Sequence, residues 1–138
     1  MIVDKLKELI EGNSIHKLCG ATEVAIKKIE DQLNVVLPQS YKWLIREYGS
    51  VSFDGFEING TGMNNSLICV QSTNSWKDFD IPDGYVVIYE PGADWIYCLD
   101  TNQMKDGECP IVAWYQGQTI GEQEAENLYQ FILSQIKA

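Results

Sequence analysis

The chain has 138 residues, of which 45% are hydrophobic and 22% charged, and it carries a formal net charge of −10 at pH 7. A domain of this length buries about 68–70% of the surface its unfolded chain exposes, enough for a real core, so the charge does not signal disorder. So acidic a chain disfavours direct binding to nucleic acids and to anionic membranes, and no apolar run approaches the roughly 18 residues of a spanning helix.

Ile2, Leu6, Leu9 and Ile10 follow helical spacing, which predicts a first helix over residues 2–11 stopped by Gly12-Asn13. Residues through Gly20 read as a connector containing His16, the only histidine. Thr22 is placed to cap a second helix with Ile26, Ile29 and Leu33 as its apolar stripe, and Asn34 to end it. Pro38 lacks a backbone N–H and disfavours helix at Leu37, so the second helix must stop before Leu37 and a third start at Pro38. That third helix puts Tyr41, Leu44, Ile45 and Tyr48 on one face and ends at Gly49.

Beyond Gly49 the period changes from 3.6 to 2. Residues 50–53 and 56–59 read as strands joined at Asp54-Gly55, and Asn59-Gly60-Thr61-Gly62 closes that hairpin. The apolar run Leu67–Val70 reads as a strand or as the lead into a helix over 72–79, the helix being favoured and Pro82-Asp83-Gly84 supplying its stop. Residues 85–89, 95–99 and 111–115 are strand candidates, and Ala125, Leu128, Ile132 and Ile136 mark a C-terminal helix. Helices beside a run of strands, without strict alternation, predict an α+β fold: N-terminal helices and a C-terminal helix on a mostly antiparallel sheet of about five strands, in one domain over residues 1–138.

Charge divides unevenly. Residues 1–49 hold seven acids and seven bases, whereas residues 50–138 hold thirteen acids against Lys77, Lys105 and Lys137. The amphipathic N-terminus has no uninterrupted apolar stretch or cleavage site, so it does not read as a secretory signal, and the chain is expected to be cytoplasmic. Cys19, Cys69, Cys98 and Cys109 lack zinc-ligand spacing and are expected to be reduced and mostly buried.

Motifs for catalysis are weak. His16 serves no nucleophile elbow and reads as a solvated connector residue, and the glycines at 55, 60 and 62 read as turns, since no lysine or helix start follows where a phosphate loop needs one. The carboxylate pairs Asp78/Asp80, Asp80/Asp83 and Asp106/Glu108 match no metal loop, so neither catalysis nor a cofactor is expected; a hydrolase built on such a pair is a third reading. Aromatics among the acids are more informative. Trp114 reads as core, whereas Trp76 and Trp95 beside carboxylates are candidates for an exposed protein-binding face.

The pattern Ile29-x3-Leu33-x3-Leu37-Pro38-x2-Tyr41-x2-Leu44-x3-Tyr48-Gly49 resembles the signature of the SUKH superfamily, named for its Smi/Knr-type members. Tyr97-Cys98-Leu99-Asp100-Thr101, with Asp106-Gly107-Glu108-Cys109-Pro110 and Trp114, looks like its YobK branch of bacterial immunity proteins. Asn34 stands where many members have glycine, and Gly49-Ser50 replaces the usual Asn-Gly; both changes fall in turns. The resemblance implies a non-catalytic antitoxin that neutralises a cognate toxin, often a nuclease, by direct binding. An acidic face suits a basic nuclease site, and the residues assigned to it are Trp76, Asp78, Asp80, Glu90, Asp94, Trp95, Asp106 and Glu108. The expected state is a monomer or weak homodimer. The alternative is a general interaction or regulatory module of the same superfamily without a toxin partner.

Overall fold

A computed structural model describes residues 2–12, 16–17, 20–53 and 55–137; Asn13, Cys19, Asp54 and the side chain of His16, on which four of the expectations above fall, lie outside the described residues. The described elements are α1 (Ile2–Glu11), β1 (His16–Lys17), α2 (Glu23–Leu33), α3 (Gln39–Tyr48), β2 (Val51–Phe53), β3 (Phe56–Ile58), α4 (Ile68–Trp76), β4 (Tyr85–Tyr89), β5 (Trp95–Asp100), β6 (Ile111–Tyr115), β7 (Glu122–Ala125) and α5 (Leu128–Lys137). The α+β class stands. The strands divide into two antiparallel sheets, ordered β1-β2-β3 and β4-β5-β6-β7.

The helical corner forms as the spacing predicts, with one shift. The Thr22 hydroxyl accepts the Ala25 N–H at 3.2 Å, capping α2, and Asn34 ends that helix in the left-handed region at φ 54°. Pro38 is not the first helical residue but the one before it, with φ −66° and an extended ψ of 151°. Its side chain offers no acceptor, so the cap of α3 comes from elsewhere in the chain. The predicted face of α3, Tyr41, Leu44, Ile45 and Tyr48, is buried throughout.

Two strands escaped the sequence reading. β1 lies inside the supposed connector, pairing His16 with Ser52 and Lys17 with Val51, and two residues are too few to show a period. β7 has the sequence Glu-Gln-Glu-Ala, poor in strand-forming residues, and is held by its ladder to β6. Ala125 therefore belongs to β7, opposite Ile111, and α5 begins only at Leu128. Its distance of three residues from Leu128 imitated a helical stripe. α4 starts earlier than expected, at Ile68, because Cys69, Thr73 and Trp76 form one buried helical face.

The four-stranded sheet is covered on both faces over most of β4, β5 and β6. The larger core joins one face of it, through Val86, Ile88, Leu99 and Ile111, to α1, α2, α3, α5 and the β2-β3 hairpin. A smaller core on the opposite face gathers Tyr85, Val87, Ile96, Cys98, Val112 and Trp114 under Trp76 and Ile81. The corner helix is tied to the sheet through residues 59–62: the Tyr41 hydroxyl donates to the Asn59 carbonyl at 2.5 Å, and the Asn59 N–H donates to the Ile88 carbonyl at 2.7 Å. Gly60 is more than a turn residue here. A Cβ at that position would sit 2.2 Å from Ile45 Cγ2 and 2.4 Å from the Gly49 carbonyl oxygen, so only glycine lets the loop lie against the end of α3.

Candidate functional site

Antiparallel register fixes which side chains meet on the face of the four-stranded sheet that looks toward α5. Three cross-strand rows result: Val86-Leu99-Ile111-Ala125, then Tyr89-Tyr97-Ala113-Glu122, then Trp95-Tyr115. A register shift between Val87 and Tyr89 turns Tyr89 onto the same face as Tyr97. The first row is core. In the second, Phe131 of α5 covers Tyr97 at a ring separation of 4.8 Å, and Phe56 meets Tyr89 at 6.3 Å. The third row lies beyond that cover.

The outer rows form a continuous aromatic ladder. Tyr89 stacks on Tyr97 at 5.9 Å, Trp95 meets Tyr97 edge-on at 5.0 Å, and Trp95 stacks on Tyr115 at 5.5 Å with the planes 14° apart. Trp95 is half-buried, while Tyr115 is 43% exposed, so the ladder runs from core to surface. Acids flank it. Burial first and then the Glu57 carboxylate hold the Tyr89 hydroxyl above its ordinary pKa; burial first and then Glu124 do the same for Tyr97. Glu122 occupies the ladder face directly, opposite Ala113. The arrangement offers flat, amphipathic rings beside fixed negative charge, the combination that anchors a basic protein surface.

The eight residues assigned from the sequence do not share this face. Trp76 is buried, and its indole N–H donates to Glu90 at 2.6 Å while the ring packs edge-on against Trp114 at 6.1 Å. Its expected exposed role is corrected accordingly, because a strand-covering indole has no free face to offer. Glu90 is committed to the same contact and also accepts the Ser72 hydroxyl at 3.1 Å. Glu108 accepts from the backbone N–H and hydroxyl of Ser40, so it serves the α3 terminus. Asp78 and Asp80 are exposed, but on the side of the sheet that Trp76 covers. Asp106 is exposed in the turn beside α3. Asp94 is exposed next to Trp95, and its carbonyl accepts the Gln116 N–H at 2.8 Å, so of the eight these two stand at the outer end of the ladder.

Tyr89, Tyr97 and Tyr115 complete the ladder, and Glu57, Glu122 and Glu124 its rim; none of the six was assigned. Strand alternation put Tyr97 and Trp95 two residues apart on one face, a signal present in the sequence, but placing Glu122 beside them required the unrecognised β7.

Other chemistry finds little footing. Cys69, Cys98 and Cys109 are free and buried; burial raises the first thiol to about 11 and the third to about 12, and pushes Cys98 well above its usual value, so none is a nucleophile near neutral pH. Among the described residues no three His, Cys, Asp or Glu side chains group closely enough to hold a metal ion, and no helix is long and apolar enough to cross a membrane.

A family model described as SUKH_5, SMI1-KNR4 cell-wall, matches residues 1–137. The chain belongs to the SMI1-KNR4 family of the SUKH superfamily. A crystal structure of a protein from Pseudomonas syringae pv. tomato is similar in fold, with a TM-score of 0.67, 16% sequence identity and 94% of each chain covered.

Proposed function

We propose that this SUKH chain is a bacterial immunity protein that binds a cognate toxin, a basic nuclease, and neutralises it by covering its substrate site without chemistry of its own. The supporting observation is the Trp95-Tyr115 stack, which surfaces beside Asp94, one cross-strand row from Glu122 and next to the Tyr97 that Glu124 flanks. Its rings supply desolvated contact area, and its acids, with the net charge of −10, match a protein face built to hold phosphates. Electrostatic steering raises association about 10- to 1,000-fold at low salt, which suits an inhibitor that must act before the toxin does. The assignment to the YobK-like branch and a cytoplasmic site of action belong to the same proposal.

The experiment is co-expression with the product of the adjacent toxin gene, followed by co-purification and a nuclease assay with and without the chain. A stable complex with suppressed cleavage is expected. No complex and undiminished cleavage would rule the role out, and a gene neighbourhood without a toxin would favour a general interaction module.

A further inference from the structure

The four-stranded sheet ends at β7, whose far side pairs with no strand among the described residues. Unpaired backbone groups on an edge strand are a template for another strand, and proteins ordinarily cover or blunt them. Among the described residues no backbone group of another element bonds to this edge, Glu122, Gln123 and Glu124 are all exposed, and neither glutamate is in an ion pair. A bare edge of this kind, contiguous with a half-exposed aromatic ladder, is a different feature from a cluster of acids on a surface.

We propose that β7 receives an extended, Arg- or Lys-bearing segment of the protein partner by antiparallel strand addition, extending the sheet from four strands to five. Main-chain hydrogen bonds to β7 supply the pairing, and side chains at alternate positions of the added strand fall on the ladder face. There they meet Glu122, which shares that face with Ala113, and Glu124, whose charge reaches the Tyr97 hydroxyl. β7 begins at Glu122, opposite Ala113 and two residues short of Tyr115 along β6, so a long cationic side chain on the added strand has the open Trp95-Tyr115 stack within reach for a cation–π contact. Charge selects the occupant. A second copy pairing through its own β7 would bring Glu122 and Glu124 against one another, and like charges in cross-strand positions are destabilising. A basic strand reverses that sign.

This inference rests on the reading of the chain as a binder of a basic protein, and its test separates the two. The probe is a synthetic nine-residue peptide of strand-forming residues with arginine at alternate positions, added to the full chain. Amide exchange of residues 122–125 and Trp fluorescence are followed together. Slower exchange in β7 is expected, with affinity falling about tenfold in the doubly reversed Glu122→Lys, Glu124→Lys chain and lost for the same peptide N-methylated at alternate amides. Unchanged β7 exchange, or equal binding of the N-methylated peptide, overturns strand addition. The doubly reversed chain should keep its circular dichroism, since both carboxylates are exposed. If the toxin forms a complex in which β7 amides exchange as in the free chain, strand addition falls and the immunity role stands; if the peptide binds but no toxin does, the reverse holds.

Discussion

Glu108 caps a helix from 68 residues further along the chain: its Oε2 accepts the Ser40 N–H at 3.1 Å and its Oε1 accepts the Ser40 hydroxyl at 2.5 Å. The carrier is a two-residue turn in which Asp106 and Gly107 both have positive φ, 54° and 80°, and in which the Gly107 carbonyl accepts the Gln39 N–H at 2.8 Å. Two otherwise unsatisfied donors at the start of α3 are thus met by a turn between β5 and β6. Pro38, which has no side-chain acceptor, is tolerated for this reason.

Glu108→Ala should therefore cost about 0.5–2 kcal/mol, the usual price of a lost helix cap. Glu108→Gln should keep both contacts, with the Ser40 hydroxyl now accepting from the amide. Burial raises the Glu108 pKa against the lowering effect of the two Ser40 bonds. A folded carboxyl that holds its proton more tightly than the unfolded one favours folding below the unfolded pKa of about 4.3, and that contribution is lost as pH rises through the folded value. Urea unfolding at pH 4 and pH 7 should show the Gln chain gaining on wild type at the higher pH. An Ala chain as stable as wild type would show that the cap contributes nothing.

Thr61 is fully buried, and its hydroxyl is the one buried side-chain polar atom without a hydrogen-bond partner among the described residues. Its backbone is well held, the carbonyl accepting from the Ser50 hydroxyl at 2.9 Å and the N–H donating to the Gly49 carbonyl at 3.0 Å. Replacing the hydroxyl by a methyl group removes an unmet desolvation cost of about 1–3 kcal/mol. Thr61→Val should raise the denaturation midpoint without changing its slope. A lowered midpoint would mean that a water molecule satisfies the hydroxyl in solution.

Alkaline pH should unfold this protein cooperatively. Burial raises the pKa of Cys69 to about 11 and of Cys109 to about 12, and raises Cys98, Tyr41, Tyr48, Tyr85, Tyr89 and Tyr97 as well. In the unfolded chain thiols ionise near about 8.5 and phenols near about 10. The folded state thus binds more protons, and stability falls as pH rises above the unfolded values, at up to about 1.4 kcal/mol per pH unit for each group. Absorbance of tyrosinate should lag behind free tyrosine and then rise together with loss of circular dichroism. Gradual, independent titration near pH 10 would contradict the burial of these rings.

Legibility in the sequence followed how local each signal was. The Thr22 cap, the αL ending at Asn34 and the face Tyr41-Leu44-Ile45-Tyr48 are set by neighbours within a few residues, and the folded chain keeps all three. The positions of β4, β5 and β6 are legible because Val, Ile and aromatic residues mark them. β7 was not, since four polar or small residues become a strand only through pairing with β6. The same non-locality hid the roles of Glu90 and Glu108. An acid beside an aromatic in the sequence looks like a binding surface, whereas here Glu90 is occupied by the Trp76 indole and Glu108 by Ser40.

Glu90→Ala isolates that point. The charge-assisted bond at 2.6 Å between the indole N–H and Glu90 holds α4 against β4, and removing the acceptor leaves a largely buried donor unmet. A loss of about 1–3 kcal/mol in stability is expected, with affinity for the proposed toxin partner unchanged at temperatures where the chain stays folded. Titration calorimetry against the proposed toxin partner, with chemical unfolding in parallel, checks both halves. Weakened binding with unchanged stability would return Glu90 to the interface.

Tyr115 and the Asp78-Asp80 turn should separate contact from steering. Tyr115 is 43% exposed and its ring stacks on Trp95 at the rim of the ladder, so Tyr115→Ala removes contact area without opening the core. If the proposed partner buries this ring, its loss should cost about 2 kcal/mol of binding, roughly 30-fold in affinity, carried mainly by faster dissociation. Asp78 and Asp80 lie on the opposite side of the sheet, where they act only through the long-range field. Charge reversal there should slow association at low salt, flatten its salt dependence and leave the dissociation rate alone. Stopped-flow association at several ionic strengths, with dissociation measured separately, resolves the two effects. Faster dissociation on reversal at Asp78 and Asp80, with Tyr115→Ala silent, would move the interface from the ladder to the face beneath Trp76.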